Sequence, residues 1–335
     1  MNRWILAIAD DLTGALEIGA KFAQQGLAAR VVTQRWTCGP PDVPVLVLDT
    51  ESRHLANRLA ANAVRDAATA ALKFSPWLVY KKTDSTLRGP IAAEFRALQD
   101  ALPGRQLVYA PAYPDMGRTV RGGRLFVYDV PVDQTAFADD ALNPVRDSSI
   151  RAMLGDVPAD VFDGESNEDV FAAARAVLAM DPTPIAAGPA ALAGALAQLV
   201  PMHRGIVREH PRLSRFLVVN GSRHPVSAGQ IDAARADGGW DFFEVDCGGT
   251  GLDRALRAGE RIRQRIEASP VDALIVFGGD TAFGIHRALD LNPFESHGEV
   301  VPGVPISRSG NLFWITKAGG YGAPGILCDI RRRLI

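Results

Sequence analysis

Trp4-Ile5-Leu6-Ala7-Ile8-Ala9 is a short, unbroken apolar run that leads directly into Asp10-Asp11-Leu12-Thr13-Gly14. A continuous apolar run of this length is typical of a parallel strand that is buried on both faces. The amphipathic residues 12–25 predict a helix after it. The acidic pair ends the run before it reaches the roughly 7–15 apolar residues of a signal peptide, so we interpret it as a strand.

The same order of apolar run, polar turn and amphipathic segment recurs along the chain. Further strands are predicted at 43–48, 77–81, 106–110, 216–219, 273–277 and 312–317. Helices are predicted at 12–25, 57–74, 90–101, 168–179, 190–199, 226–236 and 252–269. Such alternation indicates an α/β fold with mainly parallel sheets. Residues 111–166 are richer in Pro, Gly and Asp, which predicts irregular structure or a small antiparallel section.

Length and composition predict two globular domains. The chain has 335 residues, of which 47% are hydrophobic and 22% charged, and this excludes a disordered chain, a collagen or a disulfide scaffold. A domain typically has about 100–200 residues. The prolines and charged residues between 201 and 214 place the boundary, which gives domains 1–210 and 211–335.

Charge, cysteines and hydropathy indicate a cytoplasmic protein. The formal net charge of -2 argues against a nucleic-acid partner, which needs a clustered basic face. Cys38, Cys247 and Cys328 are far apart and lack metal or redox spacing, as expected in a reducing cytosol. The longest other apolar stretch, 185–200, is interrupted by Gly188-Pro189. A spanning helix needs about 20 apolar residues, so we expect no membrane partner.

Polar residues follow the predicted strands in both halves of the chain. In open parallel sheets, ligands bind beyond the carboxyl ends of the strands. In the N-terminal half these positions are charged or hydroxylated, at 10–14, 81–89 and 111–118. In the C-terminal half they are rich in glycine, at 220–223, 278–281 and 318–322. Glycine turns that open helices expose N–H groups to phosphate, so we predict a substrate domain followed by a nucleotide-phosphate domain.

Each cluster also has a purely structural interpretation. Asp10 or Asp11 could cap the helix that follows, since Asp is a preferred N-cap, but only one of the two can do so. Asp84-Ser85 could form a capped turn, and Gly278-Gly279 a tight turn. The basic residues around Asp84, and Asp280-Thr281 at a predicted helix start, favour binding sites instead.

Gly320-Tyr321-Gly322-Ala323-Pro324-Gly325 matches the Gly-x-Gly-x-x-Gly spacing of dinucleotide-binding loops. That fingerprint requires a second strand and an acidic residue about 20 positions later, and only 326–335 follow here. We therefore interpret the segment as a phosphate loop alone, with Lys317 as a cation for the phosphates. A Walker A motif does not occur in the sequence.

Seven motifs occur in the order found in one protein family and extend over nearly the whole chain. They are Ile8-Ala9-Asp10-Asp11-Leu12-Thr13-Gly14-Ala15, Asp49-Thr50-Glu51-Ser52-Arg53, Lys81-Lys82-Thr83-Asp84-Ser85-Thr86-Leu87-Arg88-Gly89, Pro111-Ala112-Tyr113-Pro114 with Gly117-Arg118, Asn220-Gly221-Ser222-Arg223, Gly278-Gly279-Asp280-Thr281 and Lys317-Ala318-Gly319-Gly320-Tyr321-Gly322. Together these motifs resemble the four-carbon acid sugar kinase family.

The resemblance implies a sugar-acid-binding N-terminal domain and a nucleotide-binding C-terminal domain, with the active site in the cleft between them. Members use ATP to phosphorylate the terminal hydroxyl of tetronates such as threonate, erythronate or 3-oxo-tetronate. The implied sugar-acid contacts are Asp10, Asp11, Arg53, Lys82, Asp84, Ser85 and Arg88. The implied ATP contacts are Ser222, Gly278, Gly279, Asp280, Thr281, Lys317, Gly319, Gly320 and Gly322. The resemblance leaves open whether the protein forms a homo-oligomer.

These residue types suggest roles in phosphoryl transfer. Arg53, Lys82 and Arg88 would bind the carboxylate and hydroxyls of the acid, since arginine offers carboxylates a bidentate fork. Asp84 is the first candidate for the base that accepts the hydroxyl proton, and Asp11 is the second. Asp280 would bind Mg²⁺ together with phosphate oxygens.

Two other functions fit parts of the sequence. A sugar-acid or nucleotide sensor with the same fold would bind its ligand without releasing ADP. An NAD(P)-dependent oxidoreductase acting on a similar acid would need a complete dinucleotide-binding unit, which the sequence lacks. Acidic residues beside a basic cluster favour catalysis over binding alone.

Overall fold

The computed structural model describes residues 3–33, 36, 39–245 and 251–335. They form two compact units, Met1–Gly205 and Ile206–Ile335, which we call the N-terminal and C-terminal units. Two of the three cysteines considered above for metal or redox spacing, Cys38 and Cys247, lie outside the described residues. Cys328 is a free thiol.

The N-terminal unit alternates strands and helices. Its strands are β1 (Ile5–Ala9), β2 (Ala29–Val32), β3 (Val45–Asp49), β4 (Leu78–Lys82), β5 (Leu107–Tyr109), β6 (Arg118–Arg121), β7 (Arg124–Val127), β8 (Val130–Pro131), β9 (Asp160–Val161) and β10 (Ile185–Gly188). Its α-helices are α1 (Leu12–Ala23), α2 (Asn57–Leu72), α3 (Ile91–Ala101), α4 (Ile150–Leu154), α5 (Asn167–Ala179) and α6 (Ala190–Leu199).

The main sheet of this unit is parallel throughout, as predicted. Its strand order is β2-β3-β1-β4-β10-β5-β9. Every residue of β1, β3 and β4 is buried, which explains their continuous apolar runs. Ala9 lies beside Asp49 on β3 and Lys82 on β4, so the three strands end at the same level.

Residues 111–166 contain the small antiparallel section that their composition predicts. Strands β6, β7 and β8 form a separate antiparallel sheet. The same region holds α4, β9 and three short 3-10 helices at Pro114–Met116, Val132–Gln134 and Ala136–Asp139.

The strands of the C-terminal unit pair in both parallel and antiparallel directions. Its strands are β11 (Phe216–Asn220), β12 (Asp241–Glu244), β13 (Ala273–Phe277), β14 (Phe294–Val301), β15 (Val304–Ser309) and β16 (Leu312–Lys317). Its helices are α7 (Pro225–Asp237), α8 (Gly251–Ala268), α9 (Gly279–Leu289) and α10 (Ile326–Leu334). In the order β12-β11-β13-β16-β15-β14, the first four strands are parallel, and β15 and β14 are antiparallel. Residues from β11, β13, β15, α7 and α10 share one apolar core.

All predicted strands and helices are present, and their ends lie within two residues of the predicted positions. Sequence reasoning missed the strands β2, β9, β10, β12, β14 and β15, and the helices α4 and α10 were not among those predicted. Strand β14 alternates buried and half-buried residues and contains polar side chains, so it lacks the continuous apolar run of a buried parallel strand. Among the helices of the described residues, none is long and apolar enough to cross a bilayer.

Candidate active site

Arg53 joins the two carboxylates that follow β1. Its guanidinium donates hydrogen bonds to Asp10 over 2.7 and 3.0 Å, and to Asp11 over 2.6 and 2.7 Å. Because the Arg53 loop follows β3, which pairs with β1, residues that are 42 and 43 positions apart meet at one end of the sheet. Charge-assisted, multiple hydrogen bonds of this kind fix the orientation of all three side chains.

Asp11 is also the N-cap of α1, as its structural interpretation predicts. Its Oδ1 accepts a hydrogen bond from the Gly14 N–H at 3.0 Å, and its Oδ2 accepts one from the Thr13 hydroxyl at 2.5 Å. Burial raises the pKa of Asp11, but Arg53, Lys82 and the Thr13 hydroxyl outweigh it, so the net pKa is lowered. Asp11 is therefore an ionised carboxylate with both a capping and an ion-pairing role.

Asp84 follows β4 and is held by the turn that it begins. Its Oδ1 accepts hydrogen bonds from the Thr86 N–H at 2.8 Å and the Thr86 hydroxyl at 2.5 Å, and its Oδ2 lies 2.8 Å from Arg88 Nη2. Arg53 Nη1 lies 3.8 Å from the same Oδ2. Burial raises the pKa of Asp84, but the two arginines and Thr86 hold it well below its usual range. Ser85 is half-buried in the same turn.

Lys82 is a buried cation that has no carboxylate ion pair among the described residues. Its side chain is 4% exposed, and its Nζ donates a hydrogen bond to the Thr83 carbonyl at 2.9 Å. It lies against α1, because a Cβ on Gly14 would come within 2.8 Å of its Nζ. An ammonium has three donors, so Lys82 retains capacity for an anionic ligand. We define the charged edge as Asp10, Asp11, Arg53, Lys82, Asp84 and Arg88.

Two further carboxylates lie beside the charged edge and were not predicted as site residues. The Glu51 Oε1 accepts a hydrogen bond from the Leu12 N–H at 3.0 Å, and the Asp49 Oδ1 accepts one from the Glu51 N–H at 3.1 Å. Burial, together with nearby Asp11 and Asp10, raises the pKa of Asp49 to about 7. The 49–53 motif contained both residues, but their burial depends on the packing of neighbouring strand ends.

The C-terminal unit presents three loops at one end of its parallel strands. Asn220 lies beside Phe277, and Phe277 beside Lys317, so β11, β13 and β16 end at the same level. Helices α7, α9 and α10 follow these strand ends in turn. We define the glycine edge as the loops 221–224, 278–281 and 318–325. Backbone N–H groups at helix N-termini are a favoured site for phosphate.

Glycine is required in this edge because neighbouring side chains leave no room for a Cβ. A Cβ on Gly221 would lie 1.8 Å from Thr281 Oγ1. A Cβ on Gly319 would lie 2.3 Å from Ser222 Oγ. The loop after β11 therefore touches both other loops and brings together three of the predicted nucleotide contacts, Ser222, Thr281 and Gly319. The same three loops also contain Gly278, Gly279, Asp280, Gly320 and Gly322.

The Lys317 ammonium is hydrogen-bonded to the loop that follows it in the chain. Its Nζ donates hydrogen bonds to the carbonyls of Ala318 at 2.6 Å, Gly319 at 3.4 Å and Tyr321 at 2.7 Å. It also lies 4.7 Å from the centre of the Phe277 ring. Burial lowers the pKa of Lys317 to about 8. These contacts give Lys317 a role in shaping the loop, and its contact with phosphate stays a prediction.

Two family models match this chain. A sugar-binding N-terminal domain matches residues 5–158, and a nucleotide-binding C-terminal domain matches residues 253–327. The first match contains the whole charged edge. The second contains two of the three loops of the glycine edge, 278–281 and 318–325.

Individual relatives and a solved structure extend this likeness. The chain is 29% identical to D-threonate kinase from Salmonella typhimurium over 415 aligned positions, which cover 97% of each chain. It is 35% identical to D-erythronate kinase from Heliobacterium modesticaldum over 158 positions, 45% of this chain and 35% of that protein. A Haemophilus influenzae protein structure superposes with a TM-score of 0.74 at 19% identity, covering 98% of this chain and 100% of that one, and so shares the fold. The chain belongs to the four-carbon acid sugar kinase family.

Proposed function

We propose that this protein is an ATP-dependent kinase that transfers a phosphoryl group to the terminal hydroxyl of a four-carbon sugar acid. Threonate, erythronate and 3-oxo-tetronate are the candidate substrates. One observation carries the proposal: a single chain combines a charged edge suited to a small acid with a glycine edge suited to a polyphosphate. A relative that aligns over 97% of this chain is itself named a D-threonate kinase.

The N-terminal unit binds the sugar acid in this proposal. Lys82 supplies a buried ammonium with donors to spare. Arg53 and Arg88 supply planar guanidinium groups, each of which already holds an aspartate. Asp10 and Ser85 accept hydrogen bonds from the hydroxyls of the acid. Anion binding to the arginines competes with the aspartates, so we expect these ion pairs to rearrange when the acid enters.

Asp84 is our first choice for the group that receives the hydroxyl proton, and Asp11 is the second. Their lowered pKa values keep both carboxylates ionised near neutral pH, so either can accept a hydrogen bond from the hydroxyl. As the new O–P bond forms and the bond to the ADP leaving group breaks, the hydroxyl proton passes to the carboxylate. Because the transition state of phosphoryl transfer is loose, orientation of the hydroxyl matters more than a strong base.

The C-terminal unit binds ATP in this proposal. The backbone N–H groups of Gly278, Gly279 and Gly320 hold the phosphates, and the Gly278 N–H gives up its long hydrogen bond of 3.4 Å to the Lys317 carbonyl to do so. The Ser222 and Thr281 hydroxyls add donors beside them. Because a Cβ would not fit between these loops, glycine lets them pack against one another beside the helix N-termini, where backbone N–H groups favour phosphate. Bound ATP supplies the transferable phosphoryl group and the ADP leaving group.

Mg²⁺ is the expected metal, with Asp280 as its protein ligand. Asp280 is exposed in the first turn of α9, beside the buried Thr281. Among the described residues, no three His, Cys, Asp or Glu side chains form a metal-binding group. A single carboxylate still fits Mg²⁺, which usually keeps several waters and binds through one or two carboxylates and substrate phosphates.

Neither of the other candidate functions gains support from the relatives, which are named as kinases. A sensor would need no base, and an oxidoreductase would need a dinucleotide-binding unit.

The free Cys328 thiol and the cysteine spacing support a cytoplasmic location.

An ADP-release assay across four-carbon acids tests the proposal. The panel contains both enantiomers of threonate and erythronate, 3-oxo-tetronate and branched relatives. Tartrate is the matched control, because it has the same carbon number and a carboxylate but no terminal hydroxyl. We expect release with at least one panel acid and none with tartrate. If no acid raises ADP release above the acid-free rate while an acid still binds, the protein is a sensor and the proposal is wrong.

A further inference from the structure

Glu94 places a carboxylate in the apolar face of α3. The residue is 1% exposed, and its neighbours on that face, Ile91, Phe95 and Leu98, are also buried. A charged side chain is costly to bury, and replacing buried ion pairs with apolar residues is often neutral or stabilising. Stability alone therefore does not account for Glu94, and its contacts point to the charged edge.

Glu94 forms a buried network with two residues from neighbouring strand ends. Its Oε2 lies 3.0 Å from Lys81 Nζ, and its Oε1 accepts a short hydrogen bond from the Ser52 hydroxyl. Lys81 and Ser52 are both 0% exposed. The network is thus closed to solvent, so its geometry is set by the protein alone.

The network reaches the backbone at the ends of three strands. Lys81 Nζ donates to the Lys82 carbonyl at the end of β4, at 2.8 Å. The Ser52 hydroxyl lies 2.7 Å from the Thr50 hydroxyl in the loop after β3. Thr50 Oγ1 also lies 2.8 Å from the Ala9 carbonyl oxygen at the end of β1, so its single proton is shared between Ser52 and Ala9. One buried carboxylate is therefore connected to every segment that carries a member of the charged edge from Asp10 to Asp84.

The residues next to these anchor points are the ones to which we assign acid binding. Asp10 follows Ala9, Arg53 follows Ser52, and the anchored carbonyl belongs to Lys82. The Arg53 N–H also donates to the Asp10 carbonyl at 3.1 Å, which joins two of these segments directly. A displacement of one segment against another would separate the guanidinium, ammonium and carboxylate groups that must act on one small ligand.

We propose that Glu94 is a positioning residue for the kinase reaction, and that it acts through Ser52 and Lys81 to hold Asp10, Arg53 and Lys82 in register. This inference rests on the proposed function. Glu94 itself does not touch the substrate. A misplacement of about 1 Å in an active site can lower the rate about 100-fold, so a loosened network should show in turnover before it shows in folding.

The test compares four variants, three within the network and one control, under conditions in which the wild-type protein releases ADP with an acid. Ser52→Ala removes the link between Glu94 and Thr50 but leaves the Lys81–Glu94 pair intact. Glu94→Gln keeps the shape and removes the charge. Thr183→Val is the matched control: its buried hydroxyl donates to the Trp77 carbonyl at 2.5 Å, at the other end of the same sheet.

We expect Ser52→Ala to lower kcat/KM for the acid by about tenfold or more while KM for ATP stays within about twofold. Glu94→Gln should lower it too, and Glu94→Ala should lower it further, since the amide can still bond Ser52. Thr183→Val should lower the melting temperature as much as Ser52→Ala without changing kcat/KM. The proposal is overturned if Ser52→Ala and Glu94→Gln keep wild-type kcat/KM, or if the KM values for acid and ATP change together. Absence of wild-type turnover overturns the proposed function first, and this inference with it.

Discussion

The N-terminal unit presents charged side chains at the carboxyl ends of its parallel strands, whereas the C-terminal unit presents glycine-rich backbone at the same position. Both have parallel strands that end in register, with polar loops beyond the carboxyl ends. The charged edge of the N-terminal unit is made of side chains, and four carboxylates and cations there are at most 9% exposed: Asp10, Asp11, Lys82 and Asp84. The glycine edge of the C-terminal unit is made of backbone, with Gly221 and Gly319 pressed against hydroxyls.

The difference follows from the ligands that each edge suits. Buried charges are tolerated when paired, and an arrangement of fixed charges discriminates among small acids by the placement of their carboxylate and hydroxyls. Backbone N–H groups carry no net charge and bind any phosphate that reaches them. The comparison predicts that substitutions in the charged edge alter turnover of the acid, whereas substitutions in the glycine edge alter nucleotide binding. Four variants test this separation.

Asp84→Asn should have the largest effect. An amide cannot receive the hydroxyl proton, and general-base catalysis typically contributes about 10²–10⁴-fold, so kcat should fall by that order. Calorimetric binding of ATP should be unchanged. Asp140→Asn is the matched control, because Asp140 lies 3.2 Å from the Arg88 guanidinium at a more exposed site. Exposed ion pairs contribute about 0–1 kcal/mol, so its turnover should stay within a fewfold.

If Asp84→Asn turns over near the wild-type rate with normal ATP binding, Asp84 is not the base. Asp11→Asn then becomes the variant to measure. If kcat falls equally in the Asp84 and Asp140 variants, the loss is due to the orientation of Arg88, because both aspartates contact its guanidinium.

Gly221→Ala should come next and act on the other edge. Its Cβ would lie 1.8 Å from Thr281 Oγ1, so the loops must separate. Overpacking typically costs about 1–3 kcal/mol, and we expect KM for ATP to rise about tenfold or more. Gly229→Ala is the control, because Gly229 lies inside α7 with open space around it and should gain about 0.5–1 kcal/mol of helix stability. Loss of acid binding by Gly221→Ala would break the separation between the edges.

Lys317→Met should have a smaller effect on the same edge. The methionine fills a similar volume but removes the ammonium donor from three loop carbonyls. Each carbonyl keeps one other donor: the Tyr321 N–H for Ala318, the Ser227 hydroxyl for Gly319 and the Gln230 amide for Tyr321. Hydrogen bonds to a charged group contribute about 1.5–3 kcal/mol, so the melting temperature should fall by several degrees. KM for ATP should rise, because the loop loses its shape. A normal melting temperature with a raised KM for ATP would indicate direct contact between Lys317 and phosphate.

Asp49→Asn should give the smallest effect, visible only as a pH dependence. The folded protein holds the Asp49 proton up to a pKa of about 7, whereas the ordinary pKa of an aspartate is 3.8. The resulting stability is present at low pH and is lost as pH rises through about 7. Asparagine is neutral throughout, so the melting temperature of the variant relative to wild type should rise between pH 5 and pH 8, by roughly a few degrees. Asp129→Asn, at an 82% exposed side chain, should show no such change.

Local sequence order accounts for much of the fold and for the composition of both edges. An apolar strand, a polar turn and a helix follow one another in the printed chain, so the strand ends and their charged or glycine-rich residues were predictable. Strands such as β14 were not, because their polar residues gain a strand environment only by pairing with β15. Asp49 and Glu94 were missed as well, because a carboxylate in a sequence carries no sign of how deeply the packing of strands and helices will bury it.

The residue types at the strand ends thus follow from the linear order of the chain. Those residue types in turn indicate the family and the class of ligand. The pairing of those residues follows from packing. Arg53 reaches Asp10 and Asp11 because β1 and β3 are neighbours. Lys82 influences Asp11 electrostatically but forms no carboxylate salt bridge among the described residues. The pKa values have the same origin, since desolvation and distance between charges exist only once the chain is folded. The sequence determines which ionisable side chains stand at the strand ends, and their proximity in the folded chain determines their charge state and orientation.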